Sequence, residues 1–112
     1  MSKTRADIQK KALDILVGGD VGASMSDEDA TALDGYIDAM VAELAADETV
    51  YIGDPDELDD ALFVQFAKLV ANAAAEEFGG KSDEAEAKTM RNRIKTLTAQ
   101  KPGFGPQQVD YF

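Results

Sequence analysis

The sequence predicts an all-α protein, a compact bundle of about four helices followed by an extended C-terminal arm. Three observations carry this. Apolar residues recur at helical spacing in four separate segments. Each segment opens on a Ser, Thr or Asp suited to an N-cap, and two of them close on paired glycines. The last dozen residues break the pattern with Pro102, Gly103, Gly105 and Pro106. The four helices together span about 70 residues, well above the usual third of a globular chain.

The first helix is expected over residues 4–17. Thr4 is placed to cap it, with Asp7 three residues on in the capping-box position. Ile8, Ala12, Ile15 and Leu16 share one face, and Gly18 and Gly19 supply the terminator. After a short loop, Ser26 opens a second helix through Ala46. Asp27, Glu28 and Asp29 sit in its first turn, where the helix dipole favours negative charge. Its apolar stripe is Ala30, Leu33, Ile37, Met40, Val41 and Leu44.

Val50, Tyr51 and Ile52 are expected as an extended segment packing over the bundle. Asp54 then caps a third helix, with Pro55 at its first position, where the missing N–H costs nothing. This helix is expected to run to Phe78 and stop at Gly79–Gly80. It is apolar nearly all round, which marks a central helix with neighbours on several sides. Its alanines suit close approach of another helix or another subunit. Ser82 caps the fourth helix, whose narrow stripe of Ala87, Met90, Ile94 and Leu97 buries one seam. Its basic residues are expected to suit the dipole at its C-terminal end. The bundle is assigned to residues 1–100 and the arm to residues 101–112.

The chain has 112 residues and no Cys, His or Trp. That excludes disulfides, Cys or His zinc sites, and thiolate or imidazole catalysis. The serines lack a His to activate them. Asp54, Asp56, Asp59 and Asp60 resemble a calcium loop only in density. Leu58 and Asp59 stand where an EF-hand needs a ligand and its turn glycine. Capping and first-turn charge explain this cluster. Gly18-Gly19-Asp20-Val21-Gly22 lacks the Lys-Ser/Thr and the preceding strand of a phosphate loop. The expectation is therefore no catalytic residue, no metal and no cofactor. Neither a signal peptide nor a membrane span is expected, and the protein reads as soluble.

Net charge is −11, unevenly spread. Residues 1–60 hold 16 Asp/Glu against 4 Lys/Arg, whereas residues 61–112 hold 6 against 7. Lys88, Arg91, Arg93 and Lys95 form a basic patch in the fourth helix. The acidic bulk argues against nucleic acid as the main ligand. In the arm, Phe104, Val109, Tyr111 and Phe112 are spaced like anchors, unlike the aromatic-poor composition of a disordered tail. They fit docking on a partner or folding back on the bundle, and the first is taken as their main role.

Three segments carry a resemblance to a known family. They are Ile52-Gly53-Asp54-Pro55-Asp56-Glu57-Leu58-Asp59-Asp60-Ala61-Leu62, then Phe66-Ala67-Lys68-Leu69-Val70-Ala71, then Glu77-Phe78-Gly79. With a first helix ending in a Gly-rich turn and a second containing Met40-Val41-Ala42-Glu43-Leu44, the chain resembles the head-to-tail adaptors of short-tailed bacteriophages. These are also called tail accessory factors or packaged-DNA stabilisation proteins. The resemblance implies a structural virion protein at the neck, assembled in the host cytoplasm. It implies a homo-oligomeric ring, a dodecamer, beneath the portal protein. The arm would lie against the portal or a neighbouring subunit, and tail proteins (nozzle, fibre or spike) would dock below. Packaged DNA would pass through the channel without specific binding. Competing expectations are a head-completion connector of a long-tailed phage and an acidic cytosolic interaction module. A small hydrolase using a carboxylate pair is a further alternative that no sequence feature calls for.

Overall fold

A computed structural model describes residues 2–17 and 27–99. Four α-helices dominate them: α1 (Arg5–Leu16), α2 (Asp27–Ala46), α3 (Asp60–Ala74) and α4 (Glu84–Ala99). The class is all-α. The paired glycines after α1, the loop that follows, Ser26 and the arm lie outside the described residues.

Helix α1 starts as its sequence dictates. The Thr4 hydroxyl accepts from the Asp7 N–H at 3.2 Å, and the Asp7 carboxylate accepts from the Thr4 N–H at 3.0 Å. Two otherwise orphaned donors are satisfied reciprocally. The buried face differs from expectation at Leu13 and Ile15. Ile8, Ala12 and Leu13 are buried, whereas Ile15 is 37% exposed. Helix α1 packs against both α2 and α3, so its buried arc widens towards Leu13 and leaves Ile15 on the flank. On α2 the stripe holds: Leu33, Ile37, Met40 and Leu44 are buried and Ala30 and Val41 half-buried.

The loop after α2 is folded on itself. Glu48 adopts a left-handed φ of 62°, and the Asp47 carboxylate accepts from both the N–H and the hydroxyl of Thr49. Thr49 is buried. Of the three residues expected to pack over the bundle, Ile52 is buried and Val50 half-buried, but Tyr51 is 81% exposed. Burial alternates along the three residues, with Tyr51 turned outward between Val50 and Ile52.

Helix α3 does not begin at Pro55. Asp54 caps only a single 3₁₀ turn, Pro55–Glu57, accepting from the Asp56 N–H at 2.9 Å. The backbone then extends through β2 (Leu58–Asp59), which pairs antiparallel with β1 (Ser2–Lys3) in the register Ser2↔Asp59 and Lys3↔Leu58. Asp59 provides the true cap of α3, its carboxylate accepting from the Ala61 N–H at 2.9 Å. The extended step lets Leu58 drop into the core at 2% exposure. It also ties down the N-terminal segment, where the Arg5 N–H donates to Asp56 at 2.9 Å.

Helix α3 is central as expected, touching α1, α2 and α4. Leu62, Phe66, Ala67, Leu69, Val70, Ala71 and Ala74 are buried. The helix is not enclosed all round: Ala61 and Ala73 are exposed and Val64 is 40% exposed. Ala67, Ala71 and Ala74 are consumed within the chain rather than left for another subunit. The helix tightens into a 3₁₀ turn over Ala75–Phe78 and closes at Gly79 with a left-handed φ of 88°, a conformation that favours glycine.

Asp83, not Ser82, caps α4; its carboxylate accepts from the Ala85 and Glu86 N–H groups at 3.0 and 3.2 Å. Ser82 instead donates to the Asn72 carbonyl at 2.9 Å. The Asn72 side chain completes the clamp, donating to the Asp83 carbonyl at 2.8 Å and accepting from the Asp83 N–H at 2.6 Å. One α3 residue thus fixes where α4 starts. The single seam of α4 is as expected, with Ile94 fully buried and Ala87, Met90 and Leu97 half-buried.

Two stability outcomes follow from this packing. Ile94→Ala is expected to lower unfolding stability by about 2–5 kcal/mol in urea titration, through lost transfer energy and a cavity under α4. Gly35, exposed inside α2 with open space around a built Cβ, is a site where Gly35→Ala is expected to raise stability by about 0.5–1 kcal/mol.

Candidate functional site

The four residues of the predicted basic patch do not form one surface. Arg91 turns inward against the C-terminal end of α2. Its Nη2 lies 2.8 Å from Glu43 Oε2 and its Nε 3.5 Å from Asp47 Oδ2. Lys95 lies close enough to Asp47 to stabilise its negative charge. Lys88, Arg93 and Lys95 are exposed. Arg93, two residues from Arg91, falls on the opposite side of the helix. The last turn of α4 holds no basic residue, so this charge does not serve that helix's own dipole as expected. Arg91 instead meets the negative end of α2. The predicted anchors Phe104, Val109, Tyr111 and Phe112 lie outside the described residues.

The acidic N-terminal half is structurally engaged. Arg5 bridges Asp34, at 2.8 Å, and Asp38 on successive turns of α2. The Asp38 hydrogen bond, followed by Asp34, holds the guanidinium proton more tightly than usual against the opposing effect of burial. Gln9 adds a 3.2 Å hydrogen bond to Asp34. This cross-link of α1 to α2 was not singled out from the sequence, although Asp34 and Asp38 stand at the telltale spacing of four. In the Asp54–Asp60 cluster, Asp54, Asp56 and Asp59 each accept a backbone N–H. Among the described residues no group of three or more Asp/Glu is placed to hold a metal ion.

The concave feature that sequence reasoning missed is a groove of about 500 Å³. It lies between the loop after α2, the entry to α3 and the last turn of α4. Val50, Ile52, Leu58, Leu62 and Leu97 give it an apolar lining. Asp54, Glu57 and Asp59 set an acidic rim, and the exposed Tyr51 ring stands at its edge. A volume of this size accommodates a few side chains. It could not be found from periodicity, because its walls come from residues some forty positions apart. The signal available was the apolar Val50-Tyr51-Ile52 run next to Asp54-Pro55.

Three further groups are tuned by local contacts. The Thr49 hydroxyl, donating to Asp47, is the main reason that carboxyl sits below its ordinary 3.8; burial opposes this, and the Thr49 N–H, Arg91 and Lys95 add to it. Asp7 is lowered chiefly by the Thr4 N–H. The Tyr36 phenol donates to Glu77 at 3.0 Å, which raises its pKa and links α2 to the turn after α3. None of these groups lines the groove.

The chain matches no protein-family model, no curated protein and no solved structure. Among the described residues no helix is long and apolar enough to cross a membrane.

A depressed carboxyl pKa favours the folded state above the ordinary value and ceases to do so as pH falls through the folded value. Stability is therefore expected to decline below about pH 4. The Asp47→Asn variant is expected to show a shallower decline, measured as the urea midpoint at successive pH values.

Proposed function

We propose that this chain is a non-catalytic structural protein of a virion, a head-to-tail adaptor that forms a ring beneath a portal. The observation that carries the reading is where the resembling segments fall. Ile52–Leu62 forms the capped entry to α3, Phe66–Ala71 is the core of that central helix, and Glu77-Phe78-Gly79 closes it. The segments are thus the joints of one rigid unit rather than scattered matches. A ring subunit needs such a unit, together with outward surfaces for its neighbours. The exposed Val64 and Tyr51 suit that need. An acidic surface suits a channel through which DNA must slide, since bound phosphates would hold it.

The arm is the attachment in this reading, with Phe104, Val109, Tyr111 and Phe112 as its anchors on the portal or a neighbouring subunit. A second reading is an acidic interaction module for a basic partner. The excess of acid in residues 1–60 favours it.

Reconstitution separates the two. Alone, the chain is expected to be monomeric or weakly associated by mass photometry. Mixed with the portal ring of its own particle, it is expected to form a closed ring visible by electron microscopy. Replacing the four arm anchors by Ala is expected to abolish that docking with an unchanged circular dichroism spectrum. Absence of portal binding, with a stable complex to a basic protein instead, would select the second reading.

A further inference from the structure

One side of the groove at the entry to α3 is formed by a run whose main chain is unused. Burial alternates along residues 50–53, from half-buried Val50 and exposed Tyr51 to buried Ile52 and exposed Gly53, the period of two that a strand shows. Yet the run pairs with no strand, the sheet among the described residues being β1 with β2 alone. Among the described residues no hydrogen bond occupies the N–H or C=O groups of Tyr51, Ile52 or Gly53. Main-chain donors and acceptors are normally paired in a folded chain, so these three residues keep an unused set beside an apolar hollow. The charge around that hollow has one sign. Asp54, Glu57 and Asp59 line the groove, and no Lys or Arg does. Asp54 and Asp59 already cap helical turns. Glu57 is exposed, and its carboxylate holds no partner among the described residues.

We infer that the groove takes an extended segment of a partner protein, a peptide of alternating apolar and basic residues that hydrogen-bonds to the main chain of residues 51–53. Strand addition of this kind draws affinity from main-chain hydrogen bonds and specificity from pockets for alternate side chains. The apolar side chains of the segment enter the Ile52, Leu58, Leu62 and Leu97 lining. Its Lys or Arg side chains meet Glu57 and the neighbouring carboxylates on the rim, and the exposed Tyr51 ring offers a face to one of those cations. A second copy of this chain is a poor occupant. The basic side chains of the described residues lie on helices, in the already paired β1 or in the turn at residues 79–82. None of them belongs to a basic segment free to extend. The inference does not rest on the adaptor reading and asks nothing of a portal.

The test titrates the isotope-labelled full chain with a set of hexapeptides that alternate Lys with Val, Ile or Phe, followed by amide NMR. The signals of residues 51–53 are expected to shift. With free peptide at ten times its Kd, hydrogen exchange at those amides is expected to slow by about tenfold. Glu57→Lys, which turns one exposed charge pair into a repulsion, is expected to weaken binding by about five- to tenfold. Ala61→Trp, at an exposed position that lines the groove, is expected to abolish binding with an unchanged circular dichroism spectrum. Peptides carrying Glu in place of Lys, or methyl groups on alternate main-chain nitrogens, are expected not to bind. No binding by any member of the set at millimolar peptide would overturn the inference. Binding that survives main-chain methylation, or equal binding of the Glu peptides, would do the same. Shifts at residues 51–53 that grow with protein concentration in the absence of peptide would place a second copy in the groove instead. Protection of the same amides in the dilute free chain would place a segment of the chain itself there, and either result refutes the partner.

Discussion

The structure depends on α3 being shared. Phe66, Ala67, Leu69, Val70 and Ala71 are all essentially inaccessible to solvent, and the helix that carries them touches each of the other three. For a domain of about a hundred residues, burial is limited by surface-to-volume scaling. One helix that contributes apolar area in three directions is an economical answer. The small residues among its buried positions let neighbours approach closely, and Phe66 fills the space they leave.

Both ends of α3 are controlled by polar contacts rather than by apolar pattern. At the entry, the 3₁₀ turn at Pro55 and the β1–β2 pairing draw the N-terminal segment against the helix start. Lys3 then reaches the face of the Phe63 ring at 5.3 Å, a cation–π contact that adds modestly to the tie. At the exit, Asn72 hydrogen-bonds Ser82 and Asp83 and fixes the start of α4. Charged contacts join the outer helices: Arg5 links α1 to α2, and Arg91 links α4 to α2. Each is partly exposed, so each contributes modestly to stability.

The shifted protonation of Arg5, Asp7, Tyr36 and Asp47 is in each case explained by a contact that caps or joins structural elements. The groove beside the last turn of α4 is apolar at its base and acidic at its rim.

The sequence by itself determined the helical class, the existence of four helices, the stripe on α2, the seam on α4 and the Thr4–Asp7 cap. All of these depend on residues within a turn or two of each other, where spacing and side-chain chemistry suffice. Tertiary structure decided the rest. Pro55 looked like the first residue of a helix, but burying Leu58 and pairing with residues 2 and 3 outweighed the local cap and moved the start to Asp60. Ser82 looked like the cap of the fourth helix, but Asn72, ten residues away, engages it and leaves the cap to Asp83. Arg91 read as part of a basic patch until the C-terminal end of α2 claimed it. The groove is visible only once the loop after α2 and the end of α4 are brought together. Local pattern says which residues form helices; how those helices share one core settles where each begins and which charges are left for a partner.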